Sequence, residues 1–267
     1  MKIPPIILDG FDIGYATMTE AIGKSTYHFH TGYELFFLVS GKNNILIGDK
    51  TYAISNGHLA IIPPNTFHQG TYQTNEIERY VINFEEQIIP DIFRSKLKLL
   101  HKEPIYIPAD PVYLRGLFAS VIKEYHREDS LSAEMIRLIL CNILAYILRN
   151  KSAVRSKMTE ITHPHVSKLI KYINTNFSKD ITMASAAHEL NMSRTYLSRL
   201  FKNNTGFSFK EYLNIVRCHQ AKELLAGTSM PITKIAYACG FNDSNYFSSA
   251  FKKTEGITPS AYRHEPV

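Results

Sequence analysis

Apolar and polar positions alternate in short runs through the first 90 residues. The segments IGYATM, YELFFLVSG, NNILIGDKTYAI, GHLAIIPP and RYVINFE are rich in β-branched and aromatic residues, and Gly, Asn, Pro and Asp interrupt them at short intervals. That pattern predicts a series of short strands in a closed or sandwiched all-β domain. The period changes after Pro90, where PDIFRSKLKLLHK, PVYLRGLFASVIKEYHRE and SAEMIRLILCNILAYILRN take on helical spacing. In the last of these, Ile136, Ile139, Leu140, Ile143, Leu144 and Ile147 form one apolar stripe, which Met135, Leu138, Tyr146 and Leu148 widen. A helix apolar on more than one side is expected to bury one face in its own domain and another against a second copy of the chain. Residues 151–162, KSAVRSKMTEIT, lose the periodicity and read as a linker. From HPHVSKLIKYI onward the pattern is helical nearly to the end.

The helical third repeats itself. Tyr196, Ser198, Phe201, Lys202, Gly206 and Tyr212 recur 50 residues later as Tyr246, Ser248, Phe251, Lys252, Gly256 and Tyr262. Each copy reads as a short helix, a tight turn and a second helix, so the chain carries two helix-turn-helix motifs. In the first, Thr182 is placed to cap MASAAHEL, Asn191 to end it in the left-handed conformation, and Ser193 to cap RTYLSRLFKNN. Leu197, Leu200 and Phe201 fall on one face of that second helix, and Arg194, Thr195, Ser198 and Arg199 on the other. A guanidinium beside short hydroxyls suits base edges, while Lys202 is placed for phosphate. The segment FKEYLNIVRCHQAKELLAG predicts a long connecting helix with Gly227 as its stop. In the second copy Pro231 suits the start of ITKIAYAC, Gly240 the turn, and Asp243 the cap of SNYFSSAFKK. Phe247, Ala250 and Phe251 point inward there, leaving Ser244, Asn245 and Ser248 outward and Lys252 for phosphate. This copy has no Arg on its outer face and is expected to discriminate bases less.

Charge sharpens this reading. Residues 1–150 hold 14 Lys and Arg against 16 Asp and Glu, whereas residues 163–267 hold 13 against 7, so the excess of the +6 chain lies in the helical part and its lead-in. A basic module on a near-neutral body points to a polyanionic partner. Cys141, Cys218 and Cys239 are widely spaced and odd in number, which argues for buried thiols rather than a disulfide framework or a zinc finger. No apolar run reaches the roughly 18 residues needed to cross a bilayer, and the N-terminus lacks a signal-peptide pattern. The expectation is a cytoplasmic protein without a membrane partner.

These residues carry a resemblance. The stretches MASAAHELNMSRTYLSRLFKNNTGFSFKEYLNIVR and PITKIAYACGFNDSNYFSSAFKKTEGITPSAYR are similar to the DNA-binding domain of the AraC/XylS transcription regulators. The second matches that family's signature at Ile235-Ala236, Gly240-Phe241, Tyr246-Phe247, Phe251-Lys252-Lys253, Gly256, Pro259 and Tyr262-Arg263. The resemblance implies that double-stranded DNA is the partner, each second helix entering a major groove. It places base contacts at Thr195, Ser198 and Arg199, then at Ser244, Asn245 and Ser248. Ser249 stands where many members carry a basic residue. More loosely, Gly23-(x)4-His28-x-His30-(x)3-Glu34-(x)6-Gly41 and Gly57-(x)5-Pro63-x-Asn65-(x)2-His68 resemble the two cupin motifs of the family's sensor domain. The cupin pattern has Gly where Asn65 stands and Asn where Tyr72 stands.

The implied architecture is an α+β two-domain chain. Residues 1–150 form a cupin-like β-barrel with trailing helices that senses an effector and dimerises. Residues 151–162 are the linker, and residues 163–267 an all-α domain of two helix-turn-helix motifs joined by a long helix. The implied function is a non-enzymatic, sequence-specific transcription regulator, an activator by family. It works with RNA polymerase as a homodimer and responds to a small molecule such as a sugar. Inward candidates for effector binding are His28, His30, Glu34, Phe36, His68 and Tyr72, with the arm IPPIIL able to close over them. His28, His30, Glu34 and His68 are also the constellation that holds one transition metal in cupin enzymes. The two readings are therefore a polar lining that needs no cofactor, and a metal-dependent cupin enzyme with a basic helical appendage.

Overall fold

The computed structural model describes residues 11–19, 22–24, 30–101, 103–127, 129–150, 161 and 163–264. The chain divides into two compact units, Met1–Ile161 and Thr162–Val267.

The first unit opens with β1 (Phe11–Met18), β2 (Gly23–Lys24), β3 (Tyr33–Ser40), β4 (Lys42–Ile47) and β5 (Lys50–Ser55). Then come β6 (Leu59–Ile62), β7 (His68–Tyr72), β8 (Ile77–Phe84) and β9 (Ile105–Tyr106). Three helices complete it: α1 (Asp91–Leu97), α2 (Pro111–Tyr125) and α3 (Ser132–Asn150). The strands lie in two antiparallel sheets of order β1-β8-β3-β6-β9 and β2-β7-β4-β5. The expected barrel is thus corrected to a two-sheet sandwich, with four sheet edges among the described residues. Alternation assigns faces to strands but does not close a ring, because closure needs edge strands long enough to pair across both sheets. Here β2 and β9 have two residues each.

Strand alternation divides the core in two. On one face of the larger sheet, Leu35, Phe37, Ile61, Ile82 and Phe84 join Leu114, Phe118 and Val121 of α2 and Ile136, Leu140, Ile143 and Ile147 of α3. The Phe37 and Phe118 rings stack there at 5.2 Å. On the other face Phe36, Leu38, Ala60 and Ile62 meet Ile45, Ile47, Tyr52 and Tyr72 across the space between the sheets. In α3 the predicted stripe is buried except for Ile139, which is half-buried, while Met135 and Leu138 stay 40% and 54% exposed.

The second unit is helical: α4 (Pro164–Asn176), α5 (Met183–Glu189), α6 (Arg194–Thr205), α7 (Phe209–Gly227), α8 (Ile232–Ala238), α9 (Ser244–Glu255) and α10 (Pro259–His264). The caps are those the sequence offers. Thr182 and Ser185 make a capping box on α5, and Ser193 accepts from the Tyr196 amide at 3.2 Å at the start of α6. Asp243 accepts from the Asn245 amide at 2.8 Å at the start of α9. Gly206 and Gly256 end α6 and α9 with left-handed φ of 87° and 84°. Two details differ from expectation. Gly227 is the last helical residue of α7, with Thr228 as the cap, and Pro231 caps α8 rather than lying inside it.

Candidate functional site

The two helix-turn-helix motifs are built on one plan. Asn191 and Gly240 end α5 and α8 with φ of 52° and 87°. The next residue bonds back in each, Met192 to the Ala187 carbonyl at 2.8 Å and Phe241 to the Ala236 carbonyl at 2.9 Å. Ala187 and Ala236 are buried, so small residues lie where the helices cross. Up to this point the copies correspond at an offset of 49, but the caps Ser193 and Asp243 correspond at 50. The second turn therefore holds one more residue, Asn242, than the first.

The inner faces of both probe helices are sealed. Leu197, Phe201, Phe247 and Phe251 are each 0% exposed. On α6 the outer residues Arg194, Thr195, Ser198, Arg199 and Lys202 are all exposed. On α9 Asn245 and Lys252 are exposed, while Ser244 and Ser248 are half-buried. The Ser248 hydroxyl donates to the Ser244 carbonyl at 2.9 Å, and that of Ser249, which is exposed, to the Asn245 carbonyl at 3.1 Å. Two of the three outer groups expected on this helix are thus less available than alternation suggested.

The connector α7 fastens the motifs together. Arg217 is 8% exposed. Its Nε donates to the Phe177 carbonyl and its Nη2 to the Lys179 carbonyl, both at 2.8 Å. Those carbonyls follow the end of α4, where the helix leaves acceptors unsatisfied and its dipole favours a cation. The same guanidinium lies 5.5 Å from the Phe241 ring of the second turn. Burial is the main influence on it and pulls its pKa down. Lys222 pairs with Glu255 at the end of α9 at 2.7 Å. Asn214 donates to the Tyr246 hydroxyl at 2.7 Å, and the Lys210 ammonium lies 5.1 Å from that ring. Between the motifs opens a cleft of about 700 Å³, lined among others by Thr182, Ser198, Lys210, Asn214 and Tyr246. Sequence reading missed Arg217, Asn214 and Lys210. Their signal is positional: they recur at helical spacing along α7 as charged or amide groups beside its apolar face.

Of the expected effector residues, the structure brings Glu34, Phe36, His68 and Tyr72 between the sheets, all buried, with His30 partly buried beside them. His28 and the arm lie outside the described residues, as do 151–160 and 162 of the linker. One Glu34 oxygen meets His30 Nε2 at 2.9 Å and His68 Nε2 at 3.4 Å. His68 Nδ1 donates to the Thr66 carbonyl at 2.9 Å. Burial is the largest influence on His68 and would lower its pKa. The Glu34 carboxylate, through its hydrogen bond and charge, together with the Thr66 carbonyl, reverses the net displacement to upward. Asn65, in place of the cupin glycine, keeps the left-handed turn at φ 55°, a conformation asparagine tolerates better than most residues. The ligand atoms of His30, Glu34 and His68 lie within 4.8 Å of one another, so the donor set fits a transition metal as well as a hydrogen-bonded triad. Asn43 and Arg79 also face this space and were not anticipated.

Two helix-turn-helix motifs on one connector, joined to a two-sheet domain whose apolar core holds a cluster of buried polar groups, define a ligand-binding transcription regulator. The family profile of the AraC-like ligand binding domain matches residues 17–140, and that of a helix-turn-helix domain matches residues 186–265. The chain belongs to the AraC-type transcription regulators. It is 28% identical over 244 residues to the lactose operon transcription activator of Staphylococcus xylosus, covering 90% of this chain and 84% of that protein. To the HTH-type transcriptional activator RhaR of Mannheimia succiniciproducens it is 24% identical, covering 88% and 86%. Among solved structures, the C-terminal domain of AraT, a response regulator from Geobacillus stearothermophilus, is 42% identical over 39% of this chain and 88% of that one, with a TM-score of 0.38. ToxT from Vibrio cholerae is 19% identical over 96% and 98%, with a TM-score of 0.40. Nothing in these matches supports the enzyme alternative. No helix among the described residues is long and apolar enough to cross a membrane.

Proposed function

We propose that this regulator is a sugar-responsive, cytoplasmic activator. It reads DNA with α6 and α9 and binds its effector between the two sheets. The observation that carries the DNA assignment is the contrast on α6 between sealed Leu197 and Phe201 and exposed Arg194, Thr195, Ser198 and Arg199. Arg199 and Arg194 can fork onto guanine, and Thr195 and Ser198 can reach bases or phosphates. Lys202 and Lys252 neutralise phosphate. The second helix contributes through Asn245, with smaller parts for Ser244 and Ser248. The sugar and activator readings draw on the lactose operon activator among the relatives. The inter-sheet groups, which both donate and accept, support the first of these. On this reading Glu34, His30 and His68 serve as polar lining with Phe36 and Tyr72, and residue 28 belongs to the same set. Residues 1–150 sense and dimerise, 151–162 link, and 163–267 bind DNA and meet RNA polymerase. Homodimerisation is supported by exposed Leu131, Met135 and Leu138 on and just before α3.

Effector binding would shift the population of chains able to place both readers on adjacent half-sites. The test is a footprint on the DNA upstream of the protein's own gene, repeated across salt concentrations. A protected site about two major-groove turns long, weakening steeply with salt, is expected. Protection indifferent to sequence at every salt concentration would refute the reading.

A further inference from the structure

Two polar side chains between the sheets carry buried atoms with no hydrogen-bond partner among the described residues, and they differ in kind. Asn43 on β4 is 1% exposed, and neither its Nδ2 nor its Oδ1 finds a hydrogen-bond partner among the described residues. Buried amides are rarely left so, because each unfilled donor or acceptor has lost its water without a replacement. Its place is fixed by register: Asn43 opposes Tyr72, and Ile45 on the same face opposes Gly70. A Cβ on Gly70 would lie 2.9 Å from Asn43 Nδ2, so glycine leaves the space this amide fills.

Arg79 on β8 comes from the opposite sheet. Its neighbours Tyr80, Ile82 and Phe84 face the helices, so Arg79 faces the inter-sheet space with Val81. Its guanidinium lies 5.4 Å from the Phe36 ring. Its Nε is buried without a hydrogen-bond partner, and no acid pairs with it among the described residues. Among the described residues, the two nearest acids along these strands are already engaged. Glu34 serves His30 and His68, while Glu78, on the helix-facing side of β8, pairs with Arg115 at 2.9 Å and accepts from Tyr15 at 3.1 Å. Burial, the largest influence, raises the Tyr72 pKa; the Arg79 charge opposes that and the Glu34 charge adds to it.

We infer that the effector is a small polyhydroxylated anion, its hydroxyls read by Asn43 and the Glu34–His68 pair and its carboxylate or phosphate received by the Arg79 guanidinium. This rests on the inter-sheet effector site proposed above. A planar guanidinium held against an aromatic ring presents parallel donors to an oxyanion, and such pairs are the strong, directional hydrogen bonds of proteins. A neutral sugar would fill the amide and leave the guanidinium uncompensated. An anionic one satisfies both.

The test is calorimetric titration of the full chain with three sets of probes: glucose, galactose and lactose; gluconate, glucuronate and galacturonate; glucose 6-phosphate and galactose 6-phosphate. At least one anion is expected to bind about tenfold or more tighter than its neutral parent, and the second and third sets tell carboxylate from phosphate. Arg79→Gln should erase that ratio, Arg79→Lys should keep part of it, and Asn43→Val should weaken neutral and anionic members alike. Unchanged far-UV circular dichroism and an unchanged thermal unfolding midpoint of the full chain show that each variant is folded. A neutral parent binding as tightly as its anion, or a ratio that survives Arg79→Gln, overturns the anion assignment; if Asn43→Val still weakens binding, the effector site itself stands. Binding by no probe overturns the polyol anion outright.

Discussion

At the scale of single residues, the groups proposed to read DNA and the stability-bearing groups are separate sets. Arg199→Ala removes an exposed guanidinium from the sealed helix α6, so fold stability should hold while operator affinity falls by about 1–3 kcal/mol and base preference relaxes at one position. Lys252→Ala should instead weaken operator and random DNA alike and lower the salt slope by about one. Competition binding with shuffled operators separates the two outcomes. His219, 6% exposed on α7, illustrates the other set. Burial, reinforced by the nearby Lys222 charge, lowers its pKa to about 4. The folded state therefore keeps this imidazole neutral after the unfolded chain has begun to bind a proton near pH 6.5. Its stability contribution is whole above that pH and is lost as pH falls toward 4, about 2 kcal/mol being gone by pH 5. Urea unfolding of wild type and His219→Gln at pH 7 and pH 5 checks this, with a shallower pH dependence expected in the variant. Cys218 and Cys239 are pushed up by burial to about 12 and about 11, which leaves both thiols protonated and chemically quiet.

Elements show where sequence reading succeeds and where it stops. The caps Thr182, Ser193 and Asp243, the left-handed Asn191 and the α3 stripe were all legible, because each is a local property of one segment. The three shortest or most polar strands, β2, β7 and β9, were missed, since pairing rather than composition makes them strands. Closure of the β-region was misjudged for the same reason. Asn43 and Arg79 were hidden because alternation shows which residues share a face, but only a second sheet reveals what that face opposes. Arg217 was hidden because its carbonyl partners lie 38 and 40 residues away. Gly240 belongs with these contacts. Its φ is 87°, and a Cβ there would lie 2.6 Å from the Phe177 carbonyl oxygen that Arg217 also binds. Gly240→Ala should therefore destabilise the helical unit by more than the roughly 1 kcal/mol that a left-handed alanine alone would lose. Thermal unfolding would measure it, and a loss within error of zero would show that the turn can relax away from α4.

The whole chain separates listening from reading: a near-neutral unit with a few polar groups set into its inter-sheet core, and a basic unit built around a connector. Much of this division was visible in charge alone, since the excess of basic residues lies late in the sequence. The chemistry of the listening unit was not, because it depends on groups from two sheets meeting.

Arg217 has a consequence for the genome rather than for the protein. Gripping the end of α4 with its hydrogen bonds and the Phe241 turn with its flat face, it makes the connector a caliper, not a hinge. One extra base pair between the two halves of a promoter site turns the far half by about 35° around the duplex, and a caliper cannot follow. Promoters answering to this regulator should therefore tolerate letter changes beneath α9 more readily than a single inserted letter between the halves. Transcription from such an insertion series would show it as an abrupt loss rather than a gradual decline.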